Sequence, residues 1–317
     1  MKVVLIGFGA IGKRHVNNLI KLGINDITLF RRKKSGNEFD LNEIDELNEI
    51  VVINPNFIIV SNPSALHYNY LEFLMKHNFN ILCEKPLVDK PNDLYSLKQL
   101  LNDYSGVARI IFNLRYHPCI KKVKEILKYN ELGKIHFARF LVGQYLPDWR
   151  GKTNHLDSYS ANKKMGGGVV LDLVHEIDIA EYLLHKPQEP VYSIVGKVSD
   201  VTVDSEDIAE IIYKTETNVV VNIHMDYLYQ GYTRNFLISG SIYNLHCDLF
   251  TNEIKITDNQ NKLIKSFNFK DFQRNDMYVN LMRDYIGLIS SNEITSDLPS
   301  FMDNQSVMET CFKIKNI

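Results

Sequence analysis

Three groups of residues have the types and spacing to do chemistry. The first is Gly7-Phe8-Gly9-Ala10-Ile11-Gly12, directly behind the apolar run from Lys2 to Ile6. In a G-x-G-x-x-G turn the first glycine permits the tight bend. The second lets the backbone approach a pyrophosphate, and the third lets helix and strand pack closely. The N–H groups of the following helix then receive the phosphate charge. A strand before it and a helix after it are the context a dinucleotide site requires; the alternative is a glycine-rich turn with no ligand. The second group is Glu84-Lys85-Pro86, behind Ile81-Leu82-Cys83. It sets a lysine at the carboxyl end of a later strand, where α/β sheets bind ligands. Such a lysine can hydrogen-bond a reacting oxygen and stabilise developing negative charge, or it is a surface residue. The Lys85–Pro86 peptide is a candidate cis bond. The third group is Gly166-Gly167-Gly168 followed by Asp172, His175 and Asp178. On one continuous helix, residues three apart share a face. A histidine flanked by carboxylates is suited to move a proton near neutral pH; the alternative is a solvated polar face. Together the groups suggest hydride transfer, with Lys85, His175 and Asp172 as catalytic candidates.

Smaller signals surround these. About 20 residues beyond the glycines, NAD-binding proteins place an acid for the ribose 2′-hydroxyl. Here the chain reads Phe30-Arg31-Arg32-Lys33-Lys34. Guanidinium groups attract a 2′-phosphate that a carboxylate would repel. Arg31 and Arg32 therefore favour NADP(H), with NAD(H) possible. Ser61-Asn62-Pro63, after a third apolar run, can line the same groove. His67 on the helix beyond is a cofactor contact or a packing residue. Glu84 and Asn113 complete the cofactor candidates. Tyr145, Trp149 and Arg150 can stack on a sugar or base and pair with phosphate, or they pack a loop. Arg115 is a cofactor or substrate contact, or a domain-hinge salt bridge. His224 and Tyr227 read more simply as structural.

The elements that must position these residues alternate in the first third of the chain. Strands are expected at Lys2–Ile6, Asp26–Phe30, Phe57–Val60, Ile81–Cys83 and Val107–Phe112. Helices are expected at 13–22, 65–77 and 93–101. This alternation predicts a doubly wound parallel sheet. After Tyr116-His117-Pro118 the pattern changes. Helices are expected at 120–129 and 169–184, then strands at 135–142, 191–198, 208–213, 218–225, 233–239, 243–250, 253–257 and 263–267. Helices at 276–289 and 302–313 follow. The run of strands predicts a mainly antiparallel sheet with one open face. The fold class is α/β, with a dinucleotide-binding domain at 1–118 and an α+β domain for substrate binding and oligomerisation at 119–317.

A net charge of −2 over 317 residues gives no global field for nucleic acid or membrane. Cys83, Cys119, Cys247 and Cys311 lie far apart with no CxxC pair, so neither a disulfide framework nor a metal site is expected. No run approaches the ~18 apolar residues of a membrane span, and the short apolar N-terminus does not read as a signal peptide. A cytoplasmic protein is expected. An apolar sheet face is rarely left bare, so a homodimer or homotetramer through that face is expected.

The chain resembles the Gfo/Idh/MocA oxidoreductases (glucose–fructose oxidoreductase, inositol dehydrogenase and relatives) over almost its whole length. The resemblance rests on Gly7 to His15, Glu84-Lys85-Pro86, Asn113-Leu114-Arg115-Tyr116 and the triple-glycine helix with Asp172 and His175. It implies a Rossmann domain followed by an open-faced sheet domain. It also implies nicotinamide-dependent redox at a sugar or cyclitol hydroxyl, with Lys85 and His175 as the catalytic centre. The family pattern places an aspartate four residues before the histidine. Leu171 stands there, Asp172 is three before, and Asp178 is a second candidate for the role. The segment Tyr145 to Arg150 resembles the subset associated with bacterial surface-carbohydrate synthesis, which implies a nucleotide-activated sugar. A free monosaccharide or cyclitol is the alternative substrate, and a non-catalytic NAD(P) sensor the alternative role.

Overall fold

The computed structural model describes residues 1–149, 159–291 and 296–316. The chain divides into two compact units, Met1–Asn113 with Arg274–Met308, and Leu114–Gln273 with Glu309–Ile317.

The first unit is built on a six-stranded sheet of order β3-β2-β1-β4-β5-β6. Its strands are β1 (Lys2–Ile6), β2 (Asp26–Phe30), β3 (Asn42–Ile44), β4 (Phe57–Val60), β5 (Ile81–Glu84) and β6 (Ala108–Ile111). All five pairings are parallel. Val3 to Ile6, Phe57 to Val60 and Ile81 to Glu84 are buried without alternation, as in sheets covered on both faces. Strand order reverses between β1 and β4, the switch point where doubly wound sheets bind ligands. Helices α1 (Ala10–Lys21), α2 (Leu47–Ile53), α3 (His67–Lys76) and α4 (Pro91–Leu100) connect the strands. The 42–53 stretch escapes the sequence reading. β3 has three residues, too few to show a period, and α2 is begun by a Glu46/Glu49 capping box, without a Ser or Thr.

The unit closes with a segment from far along the chain. The division expected at 118/119 differs here, because 274–308 returns to the first unit. In α8 (Arg274–Ser291), Asn275 Nδ2 donates to Asn18 Oδ1 at 2.7 Å and Tyr285 Oη donates to Val107 O at 2.9 Å. Ile110 N then donates to Pro299 O at 3.0 Å. Linear reading sees a helix there but carries no signal of which sheet it covers.

The second unit holds an eight-stranded sheet of order β14-β13-β12-β11-β7-β10-β9-β8. The strands are β7 (Ile135–Gln144), β8 (Pro187–Gly196), β9 (Ile208–Thr215), β10 (Val220–Asp226), β11 (Tyr232–Gly240), β12 (Asn244–Asp248), β13 (Glu253–Thr257) and β14 (Leu263–Asn268). Neighbours are antiparallel except β7 and β10, which run parallel. One face is buried through Phe140, Ile211, Ile223, Ile238 and Ile254. Helices α5 (Pro118–Lys128), α6 (Val169–Asp172) and α7 (His175–Leu184) belong to this unit, α6 and α7 lying on the sheet's buried side. The opposite face exposes Tyr192, Ile194 and Ile212. The helix expected over 169–184 is two pieces, broken at Leu173 and Val174, so Asp172 and His175 are not on one continuous helical face. The last helix, α9 (Gln305–Ile314), spans the 308/309 division.

Candidate active site

The glycine loop carries three different requirements. Gly7 has φ +93°, and a Cβ there would lie 2.5 Å from Asn62 N; one on Gly12 would lie 2.3 Å from Gly7 O. Both glycines are therefore fixed by the fold. A Cβ on Gly9 would meet nothing within 4 Å, which leaves room for a ligand's close approach at this N-cap position. Gly9 also caps α1 without a side-chain hydrogen bond, and the first-turn N–H groups at Ala10 and Ile11 are the orphan donors of a helix N-terminus. Across the switch point, Ser61 Oγ donates to Gly7 O at 2.8 Å and lies 3.1 Å from Ile6 O. Ser61 thus holds the loop from the strand across the switch point. Asn62 Oδ1 and Nδ2 are buried with no hydrogen-bond partner. Leaving such atoms unmatched costs ~1–3 kcal/mol each, and a bound dinucleotide beside Gly7 can offset that. Open space at Gly9, uncapped N–H groups and unmatched Asn62 all fit a dinucleotide.

His67 proves to be a brace. Its Nε2 lies 2.9 Å from Asn62 O and its Nδ1 2.9 Å from Pro86 O, tying the Asn62-Pro63 turn to the turn after β5. Burial pushes its pKa down against the pull of these carbonyls. Both ring nitrogens face main-chain oxygens, and His67 links the two turns beside the glycine loop. Glu84 is also engaged: its Oε1 is 2.8 Å from Nε2 of the fully buried His15, and Lys85 N donates to its Oε2 at 3.3 Å. Glu84 fixes the main chain on which half-buried Lys85 is carried, across a cis Lys85–Pro86 bond. Asn113 is buried, its Nδ2 3.8 Å from Met277 Sδ.

Beyond β2, Arg31 Nη1 donates to Glu43 Oε1 at 3.0 Å and to Gly36 O at 2.9 Å. Glu43 is the residue that sequence reasoning missed. It also accepts from Ser35 N at 2.8 Å and Asn37 Nδ2 at 3.1 Å, and these donors hold its carboxyl down at about 2. Its signal, an acid in a three-residue strand, has no periodicity to mark it. Arg32 is exposed.

In the second unit each acid of the α6–α7 segment has a different partner. Asp172, buried, accepts from Tyr227 Oη at 3.2 Å. Glu176 pairs with Arg234 at 2.8 Å. Asp178, fully buried, takes Arg115 through both carboxylate oxygens, at 3.0 Å from Nε and 2.5 Å from Nη2. Burial raises the Asp178 pKa and Arg115 opposes it. Arg115 also lies over the Tyr182 ring at 4.4 Å. Arg115 and Asp178 thus form a buried ion pair, the hinge-type salt bridge that is one of the two readings of Arg115. His175 opens α7 and is buried at 8% exposure. Asp172 and His175 remain the acid and histidine suited to proton handling. Tyr227, read from sequence as structural, turns out to hold the catalytic candidate Asp172.

Trp149 spends its indole N–H on Gln144 O at 3.2 Å and packs edge-on against Tyr227 with centroids 5.3 Å apart. Tyr145 is half-buried, and Arg150 lies outside the described residues. His224 sits between Glu210, at 2.5 Å, and Asp226, at 2.8 Å, on the sheet face opposite α7. Among the described residues no group of three His, Cys, Asp or Glu is arranged to hold a metal.

Comparison with known proteins agrees with this geometry. Residues 1–112 match the oxidoreductase family with an NAD-binding Rossmann fold, and residues 120–243 match the GFO/IDH/MocA C-terminal domain. The chain belongs to the Gfo/Idh/MocA family. Myo-inositol 2-dehydrogenase of Thermotoga maritima is 22% identical over 314 residues, covering 92% of this chain and 89% of the relative. Against the first curated relatives the aligned stretch spans 55% and 66% of their length. Among solved structures, levoglucosan dehydrogenase in complex with NADH superposes with a TM-score of 0.87 at 17% identity, covering 100% of this chain and 96% of the other. UDP-N-acetylglucosamine 3-dehydrogenase from Acidithiobacillus ferrooxidans gives 0.80 at 15% identity, covering 100% and 97%. The shared fold is this family's Rossmann sheet followed by an open-faced sheet.

Proposed function

We propose that the protein is a nicotinamide-dependent oxidoreductase acting on a CH–OH carbon of a sugar or cyclitol. The open space at Gly9, beside uncapped α1 and unmatched Asn62, is the observation that carries this reading. When bound, the nicotinamide takes up or supplies the hydride. In the oxidative direction the carbon loses a hydride, its hydroxyl loses a proton, and C–OH becomes C=O. Lys85 polarises that oxygen or receives the proton. His175 shares the proton transfer, with Asp172 setting its charge and orientation.

Arg31 and Arg32 support NADP(H), while Glu43 offsets Arg31 and leaves Arg32 as an exposed cation for a 2′-phosphate. We therefore infer a site that accepts both cofactors. A nucleotide-activated sugar of surface-polysaccharide synthesis is the first substrate class to test, with Tyr145, Trp149 and Arg150 as its contacts. Trp149's committed N–H leaves only its ring face for stacking. Free sugars and cyclitols are the alternative. Assembly through the open sheet face and a cytoplasmic setting belong to the same proposal. The test is Lys85→Met. Loss of turnover with NADH binding retained supports the assignment, and full turnover removes Lys85 from the chemistry.

A further inference from the structure

The glycine loop does not face Arg31 alone. Phe8 lies between two cations, Arg31 at 5.6 Å and Lys13 at 5.3 Å from its ring centroid, and Phe39 meets the ring edge-on at 6.0 Å. Each cation is held by a carboxylate from the 38–43 stretch. Lys13 pairs with Glu38 at 2.6 Å and Arg31 with Glu43 at 3.0 Å. The two pairs differ in kind. Lys13 and Glu38 are about half exposed, whereas the Glu43 side chain is only 7% exposed. β2 and β3 place Phe30 beside Ile44 and Leu29 beside Glu43, and β1 places Ile6 beside Phe30. The guanidinium thus stands where the second strand meets the glycine turn, at the position from which an arginine accommodates a 2′-phosphate.

We propose that Glu43 sets the balance between NAD(H) and NADP(H), by holding the Arg31 guanidinium that a 2′-phosphate would otherwise take. This rests on the dinucleotide reading of the glycine loop. A carboxylate beside the ribose accepts a hydrogen bond from a 2′-hydroxyl and repels a 2′-phosphate. To bind the phosphate, Arg31 must exchange one anionic partner for another while the displaced carboxylate stays close. A buried, multiply hydrogen-bonded carboxylate does not neutralise itself by protonation near neutral pH. The penalty therefore persists across the working range. Glu38 restrains Lys13 in the same sense, but exposure and salt screening make that restraint weak.

The test is direct titration of NADH and NADPH by nicotinamide fluorescence. The proteins are the wild type, Glu43→Gln, Arg31→Gln and the double variant. Glu43→Gln keeps an acceptor for Ser35 N and removes the charge, and it is expected to raise the NADPH-to-NADH affinity ratio roughly tenfold. Arg31→Gln is expected to lower the ratio, and the double variant to show no gain over Arg31→Gln. A ratio within about twofold of wild type in Glu43→Gln overturns the inference, as does a gain that survives in the double variant. Should Glu43→Gln fail to fold, the Arg31→Gln ratio decides, and an unchanged value overturns it. A wild type that binds neither dinucleotide overturns the dinucleotide reading and this inference together. NADH binding with unchanged ratios overturns this inference alone.

Discussion

What an acid can do here depends on what answers it. Asp178 and Glu176 face guanidinium groups and are spent on ion pairs, whereas Asp172 faces the phenol of Tyr227. The Tyr227 hydroxyl steadies the Asp172 carboxylate by donating to it. Tyr227→Phe is expected to lower kcat by about tenfold. Unchanged kcat would reduce Tyr227 to packing. Arg115→Ala has a different signature. It strands Asp178 in the core, and denaturant melts are expected to show a loss of ~3–5 kcal/mol. The identities of Lys85, Asp172 and His175 were legible in the sequence because motifs name them. The commitment of Arg115 and His67 was not, since their partners lie 63 and up to 20 residues away.

Elements determine which glycines matter for folding and which for binding. Gly12→Ala puts a methyl 2.3 Å from Gly7 O, and overpacking of this kind costs ~1–3 kcal/mol. Gly9→Asn meets no protein atom at its Cβ and supplies a preferred N-cap residue. The expected outcome is an unchanged or higher melting temperature for Gly9→Asn, with dinucleotide affinity lower by on the order of tenfold or more. Gly12→Ala is expected to melt earlier. The reverse pattern would assign the loop to folding alone. On the second sheet, His224 is raised from 6.5 to about 9 by its bonds to Asp226 and Glu210, against burial. A raised folded pKa stabilises fully below the unfolded value of 6.5, and that stability is lost as pH rises through about 9. Wild-type melting temperature is therefore expected to fall over this window more steeply than that of His224→Gln; parallel curves would deny the histidine its charge. Strands with a clear period were legible in sequence to within a few residues. The three-residue β3 and the break at Leu173 were not, because neither leaves a periodic trace.

For the whole molecule, the alternation of strands and helices followed by a run of strands was enough to forecast both sheets. The return of 274–308 to the first unit was not, since a helix's apolar face does not say which sheet it covers. The open face of the second sheet exposes Tyr192 at 65%, Ile194 at 74% and Ile212 at 48%, and patches of this kind mark interfaces. A second copy on this face is expected to appear as a dimer or tetramer in sedimentation, and Ile194→Asp to shift it toward monomer. A monomeric wild type would contradict the proposed assembly. The most direct test of the central claim is a single-turnover experiment on the wild-type protein loaded with NAD⁺ or NADP⁺. UDP-N-acetylglucosamine, glucose 6-phosphate and myo-inositol are offered in turn, and nicotinamide absorbance is followed. Reduction of the cofactor by at least one of them, lost in Lys85→Met, is the expected result. Tight dinucleotide binding with no hydride transfer to any cofactor–sugar pair, in either direction, would contradict an oxidoreductase and leave a dinucleotide-binding protein without turnover.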